Sequence, residues 1–281
     1  MSIRNILVHV DGTERSARTV ETACTVAKGF GARLTGFFVM PDVTVAAAVS
    51  DGAMANSQLI VDMQDAAEKR AGDAEKIFRE ETRRQAMDAE WFRTDAPMSG
   101  ARSAAAEAAF YADLVIAGQY GGSSGSAPDP GLAEDLVIDS GRPLLLVPDS
   151  AGSGAGKRIL IGWKESREAA KAVHDALPFL SKADSVAIAM VAEQGDAPED
   201  DISGTRIAKL LADHGVNAAL QTVAAQTDES TSEALFNHAR TWGADMLVAG
   251  AYSHSRLREG IFGGVSKSIF SGAPLPVLLS N

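Results

Sequence analysis

The chain has 281 residues, which at roughly 150 residues per domain is one large domain or two modest ones. Acidic side chains outnumber basic ones 37 to 26, for a net charge of -11, which argues against a surface that tracks nucleic-acid phosphates. A hydrophobic content of 46% with 22% charged residues excludes wholesale disorder. No apolar run approaches the roughly 20 residues a membrane-spanning helix needs, and the start, Met1-Ser2-Ile3-Arg4-Asn5, enters a strand-like segment without a signal-peptide core. A cytoplasmic protein is predicted, with neither membrane nor nucleic acid as a partner.

The first apolar run, near 5–10, predicts a strand, followed by a polar turn and an Ala-rich amphipathic stretch. That stretch holds the single cysteine, Cys24, which can form no internal disulfide and is expected as a small buried apolar residue. Further strands are predicted near 33–39, 89–93, 113–117 and 143–147. A long charged helix is predicted near 57–86, where Glu/Asp and Lys/Arg alternate at helical spacing. That pattern means a solvated, ion-paired face; a cover over a neighbouring site or a partner-binding surface is the alternative. Residues Ala151-Gly-Ser-Gly-Ala-Gly156 form a flexible linker by composition. Beyond it, strands are predicted near 158–163, 185–191, 218–223, 245–249 and 276–279, with no counterpart of the long helix. Trp91, Trp163 and Trp242 are expected in core or site walls.

The chain repeats once. Residues Ala112–Gly118 read ADLVIAG, and Ala244–Gly250, 132 positions later, read ADMLVAG. Apolar runs alternating with helix-period segments are the signature of parallel strands joined by crossover helices. Two tandem doubly wound α/β domains, each a five-stranded parallel sheet, are therefore predicted over 1–150 and 158–281, with 151–157 as linker. In such sheets ligands bind beyond the carboxyl ends of the strands where the strand order reverses, so the loops after the first and fourth strands are the candidate sites.

After the fourth strand of the second half come Gly250, Ser253, His254, Arg256, Gly263, Gly264, Val265 and Ser266. Gly263 and Gly264 open a predicted helix beginning near Val265, whose backbone N–H groups, with the Ser266 hydroxyl, suit an anion such as a nucleotide phosphate. The alternative is that these glycines only end a strand and start a helix close to the sheet. In the first half Gly118, Gly121 and Gly131 reproduce the frame: Gly118 to Gly131 and Gly250 to Gly263 are both 13 positions.

These motifs resemble those of the universal stress protein family in its tandem two-domain form, and the likeness runs over nearly the whole chain. The resemblance implies an adenine-nucleotide α-hydrolase-like fold with strand order 3-2-1-4-5 in each domain, and an intramolecular pseudo-dimer. Nucleotide-binding members carry a glycine, two residues, a glycine, nine residues, then a glycine and Ser or Thr. The first half keeps Gly118, Gly121 and Gly131 but has Leu132 at the hydroxyl position. The second keeps Gly250 and Gly263, has Ser253 and Gly264 at the other two positions, and regains a hydroxyl at Ser266. The opening ILVHVDGTERSA is similar to the family's first strand and turn, which puts Val10 and Asp11 beside the ribose and phosphates. Its counterpart ILIGWKESREAA places Trp163 and Lys164 there instead. The resemblance implies ATP as ligand, with Mg2+ as an optional companion, an unidentified protein partner and a stress-sensing role. It leaves further homodimerisation open.

Two alternatives stand beside that reading: an interaction module of the same fold that binds no nucleotide, and a slow ATPase. For the latter no general base, nucleophile or metal cage is in place, so no catalytic residue and no metal ligand is assigned. The linker with Lys157 is no Walker loop, because Arg158 replaces its Ser or Thr and the segment precedes a strand. Gly121-Gly-Ser123-Ser-Gly125 has the letters of a nucleophile elbow, but Pro128 and Pro130 prevent the helix that must follow. The five histidines, His9, His174, His214, His238 and His254, lack metal-ligand spacing.

Overall fold

The structure, a computed structural model, describes residues 2–41, 57–95, 101–119, 131–150, 152, 154–192, 202–226, 229–251 and 264–281. In chain order the first half comprises β1 (Asn5–His9), α1 (Ser16–Phe30), β2 (Arg33–Met40), α2 (Ser57–Arg84), β3 (Ala89–Asp95), α3 (Ala101–Ala109), β4 (Leu114–Gly118), α4 (Leu132–Asp139) and β5 (Leu144–Val147). The second comprises β6 (Arg158–Gly162), α5 (Arg167–Leu180), β7 (Ser185–Ala192), α6 (Ile202–Asp213), β8 (Ala218–Ala224), α7 (Thr231–Trp242), β9 (Met246–Gly250), α8 (Gly264–Gly272) and β10 (Val277–Ser280). All ten predicted strands are present. The eight inner strands, buried on both faces, read as near-continuous apolar runs, whereas the edge strands β3 and β8 mix in polar residues and are part-exposed.

Each half has strand order 3-2-1-4-5, and the two merge into one sheet, β3-β2-β1-β4-β5-β10-β9-β6-β7-β8. Every pairing is parallel except β5 with β10, which is antiparallel with Leu145 opposite Leu278. This junction relates the halves by an approximate two-fold axis, so the carboxyl ends of β1 and β4 point opposite to those of β6 and β9. One apolar layer packs α1, α2, α5 and α6 on one face of the sheet. The other packs α3, α4, α7 and α8 on the opposite face. A buried side-chain bond crosses the junction: Gln119, just after β4, donates Nε2–H to the Ile269 carbonyl of α8 at 2.7 Å.

Local chemistry sets the element ends. α1 stops at Gly31, whose φ of 62° is left-handed and whose N–H turns back to the carbonyls of Ala27 and Lys28. α7 starts at a capping box, with Ser230 and Glu233 each bonding the other's backbone N–H, and the Ser230 hydroxyl, with the Ser230 N–H, donates to the Glu233 carboxylate and holds it below its ordinary range. The aspartate of the repeated motif anchors the first strand of each half. Asp113 accepts the N–H groups of Arg4 and Asn5 at 2.8 and 2.9 Å. Asp245 accepts those of Gly156, Lys157 and Arg158 at 3.1, 3.0 and 2.9 Å, so the end of the segment read as a flexible linker is pinned to the sheet.

The α2 helix has the expected ion-paired outer face, Arg79 with Glu75 and Arg84 with Glu81. Its inner face buries Ala67, Ala71, Ala74 and Phe78. Cys24 is fully buried, and burial pushes its thiol up to about 11, leaving it inert at neutral pH. Trp91 lies 5.2 Å from the Phe78 ring, and the Arg158 guanidinium sits 4.5 Å from the Trp242 ring centre.

Candidate functional site

The carboxyl ends of β1 and β4 in the first half, and of β6 and β9 in the second, are where neighbouring strands lead to helices on opposite faces. Val10 is fully buried and ties β1 to β2 through its N–H to the Phe37 carbonyl, 3.0 Å. Asp11 is buried, and its Oδ1 accepts the Thr13 N–H at 2.9 Å, the Thr13 hydroxyl at 2.8 Å and the Ser16 hydroxyl. The acid expected beside a ligand thus organises its own turn into α1.

The long helix closes on that turn. Gly12 has φ 79°, and a Cβ there would stand 2.4 Å from the Arg70 carbonyl of α2. The Arg70 guanidinium lies 5.8 Å from the Phe38 ring centre, with its NH2 group 3.5 Å from the Asp11 carbonyl. Behind it His9 is buried edge-on to Phe37, with 5.2 Å between ring centres. Burial holds its pKa down at about 4, helped by Arg70 and opposed by Asp11. Of the roles weighed for 57–86, the solvated face is present, and the helix also packs against the Gly12 turn through Arg70.

The end of β6 is built differently. Trp163 donates its backbone N–H to the Ala189 carbonyl at 2.9 Å and its indole Nε1–H to the buried Ser203 hydroxyl of α6 at 3.1 Å. It fills space beside the shorter helix. Lys164 is exposed. Ser166 caps α5 by accepting the Ala169 N–H at 3.1 Å, and Glu168 in that first turn is buried, 3.5 Å from Arg167. Gly250 ends β9 directly against this turn: a Cβ on it would lie 2.6 Å from both the Ala169 nitrogen and the Glu168 carbonyl carbon. The glycine at this point of the repeat is therefore a steric requirement, which brings the start of α5 to the end of β9.

The two helices that follow the glycine frames differ in charge. Gly131 has φ 113° and begins α4, whose first turn carries Glu134 and Asp135. Leu132, at the position of the motif's hydroxyl, is 1% exposed in the core and cannot face a ligand. α8 begins at Gly264 with no acid in its first turn, and Lys267 follows in sequence. Val265 packs against the apolar layer and Ser266 is buried. Ser253, His254, Arg256, Gly263 and Gly121 lie outside the described residues. The sequence reading missed Arg70, Glu168 and Ser203. Glu168, four positions beyond Lys164, was open to a search for a carboxylate that replaces the missing acid, whereas nothing in the sequence ties Arg70 to Gly12.

Such a fold, two doubly wound α/β units each with one strand-order reversal, defines a class of tandem doubly wound α/β proteins. The universal stress protein family profile matches residues 2–126 and 156–281, and the chain belongs to that family, with two of its domains in tandem. A universal stress protein from Archaeoglobus fulgidus DSM 4304 is 17% identical with a TM-score of 0.69, the match covering 99% of this chain and 98% of that one. A functionally unknown protein from Pseudomonas aeruginosa PAO1 is 13% identical with a TM-score of 0.56, over 99% and 92%. A universal stress protein from Archaeoglobus fulgidus in complex with dAMP is 18% identical over 52% of this chain and 98% of its own, with a TM-score of 0.30. The first two are likenesses of fold. No curated protein matches the chain, and among the described residues no helix is long and apolar enough to cross a membrane.

Proposed function

We propose that the chain is a cytoplasmic stress sensor that binds ATP, or a related adenine nucleotide, at one site, in the second half. The carrying observation is the contrast between the helix starts: two acids and a buried Leu132 open α4, whereas α8 opens on Gly264 without an acid. An acid-free helix N-terminus favours anions through its unpaired N–H groups and dipole, and carboxylates in the same turn oppose them. In this reading Gly250, Ser253, Gly263, Gly264, Val265 and Ser266 frame the phosphates, His254 and Arg256 lie in the same loop, and Trp163 and Lys164 flank the nucleotide. The first-half set of Val10, Asp11, Gly118, Gly121 and Gly131 is a vestigial counterpart. Mg2+ does not fit as a protein-held ion, because Lys164 occupies the acid's position and Glu168 is next to Arg167; Lys164 and Arg256 supply the positive charge instead. Ligand binding then alters a surface read by a protein partner.

Calorimetric titration of nucleotide-stripped protein with ATP and ADP, with and without magnesium, tests this. The expected result is one site per chain, unaffected by chelator and lost in Gly263→Asp. Two sites, or full affinity in Gly263→Asp, would overturn the assignment to the second half. No heat with either nucleotide would leave the fold as an interaction module without this ligand.

A further inference from the structure

Among the described residues the ten-stranded sheet ends in two edge strands, β3 and β8, and they are built to opposite rules. An edge strand presents a row of unpaired backbone groups, which proteins shield with charge, proline, bulges or a covering element. At β3 the shield is charge: Asp88, Glu90, Arg93 and Asp95 lie in or beside the strand, Arg33 pairs with Glu90 and Arg93 with Glu68, each at 2.7 Å. Its one exposed large apolar side chain, Phe92, is stacked on Phe37 with 5.8 Å between ring centres.

The other edge, β8, has none of this. Residues 215–226, GVNAALQTVAAQ, contain no charged side chain and no proline. The strand pairs with β7 in unbroken parallel register from Val186–Ala218 to Ala192–Ala224, without a bulge. Among the described residues no other strand pairs with β8. An apolar strip also runs out to it. α6 approaches so closely at Gly204 that a Cβ there would meet the Met190 sulfur at 2.4 Å and the Leu220 side chain at 3.0 Å. Leu220 and Ile202 beside it are 46% and 58% exposed.

We propose that β8 is a self-pairing edge, at which a second copy of this chain adds its own β8 antiparallel and continues the sheet across a two-fold axis. A second copy fits for three reasons. An uncharged strand laid against itself puts no like charges opposite each other. At a net charge of -11 two copies repel over most of their surface, so contact belongs where charge is lacking. The same sheet already crosses one two-fold edge junction, β5 with β10, and pairing at β8 extends it by the same antiparallel geometry. Seven residues of ladder with Leu220 and Ile202 beside it make a small interface, so the dimer is one that dissociates on dilution.

Light scattering coupled to gel filtration of the full chain, over a dilution series, tests this together with amide hydrogen exchange of residues 218–224. The wild type is expected at twice the monomer mass when concentrated, falling to the monomer mass on dilution, with exchange at β8 slower in the concentrated sample. The double variant Leu220→Lys/Thr222→Lys should stay monomeric with an unchanged circular dichroism spectrum, while Glu90→Lys on the opposite edge dimerises as the wild type does. A wild type that is monomeric throughout, or a dimer retained in a folded double variant, overturns the proposal. Should the double variant not fold, exchange at β8 in the wild type decides, and rates independent of concentration overturn it.

Discussion

The ends of β1 and β6 occupy the same place in the two halves, and their surroundings have diverged in opposite directions. At β1 an acid, Asp11, ties one carboxylate oxygen into its own turn, and a helix of 28 residues reaches across to lay Arg70 on Gly12. At β6 the acid is replaced by an exposed lysine, the corresponding helix has 12 residues, and Trp163 takes up the volume with its indole tied to Ser203. The chains of cause differ although the frame is shared. In the first half the long helix and the turn stabilise each other, and the following helix start is acidic. In the second a shorter helix leaves the strand ends to one aromatic and one cation, and the following helix start carries no acid. Duplication preserved the scaffold, and the two strand ends diverged, one closed by a long helix and the other bearing an exposed lysine.

The steric requirement at the strand ends is the strongest place to break this comparison. Gly250→Ala drives a Cβ into backbone that cannot rotate away, and Gly12→Ala adds a left-handed φ to a similar clash. Each should cost about 3 kcal/mol, the order seen for overpacked cores and backbone strain, whereas Gly272→Ala, with open space around it, should cost nothing; urea unfolding checks all three.

Acid should act most strongly through the first half. His9 is held at about 4 against an ordinary 6.5, so the unfolded chain binds the extra proton between those values. Its contribution is complete above pH 6.5 and is lost as pH falls toward 4, about 3 kcal/mol in all at 1.36 kcal/mol per unit. His9→Gln should flatten that part of the stability profile. Gly162 stands at the matching position of the second half and brings no such titration.

Nucleotide should act through the second half alone. Saturation at about 100 times the dissociation constant should add roughly 2.7 kcal/mol to stability. Asp11→Asn should keep that gain and Gly263→Asp should lose it; an equal loss in both would place the ligand in the first half.

Trp163→Phe removes the indole donor to Ser203 and should cost about 1 kcal/mol, the net worth of one hydrogen bond, with a smaller red shift of tryptophan fluorescence on unfolding. At the small end, Arg33→Ala deletes an ion pair in which both side chains are more than two-thirds exposed, and should change stability by less than about 0.5 kcal/mol.

By itself the sequence determined the strands, the duplication and the glycine frame, because a parallel strand buried on both faces must be apolar throughout, and because identical local needs recur at identical spacing. Gly250 was legible as a motif position for that reason, and so was the departure at Leu132. Asp113 and Asp245 were legible only as letters of a repeat: that each anchors the strand beside it, 108 residues away at Asn5 and 87 at Arg158, emerges from the folded sheet. Only the tertiary structure decided that β5 and β10 join the halves into one sheet, that Gln119 reaches Ile269 across 150 residues, and that Arg70 rests on the turn of Asp11. Local patterns record what each segment must bury. Which segment it is buried against depends on contacts between residues far apart in the chain, and no periodicity in either segment carries that information.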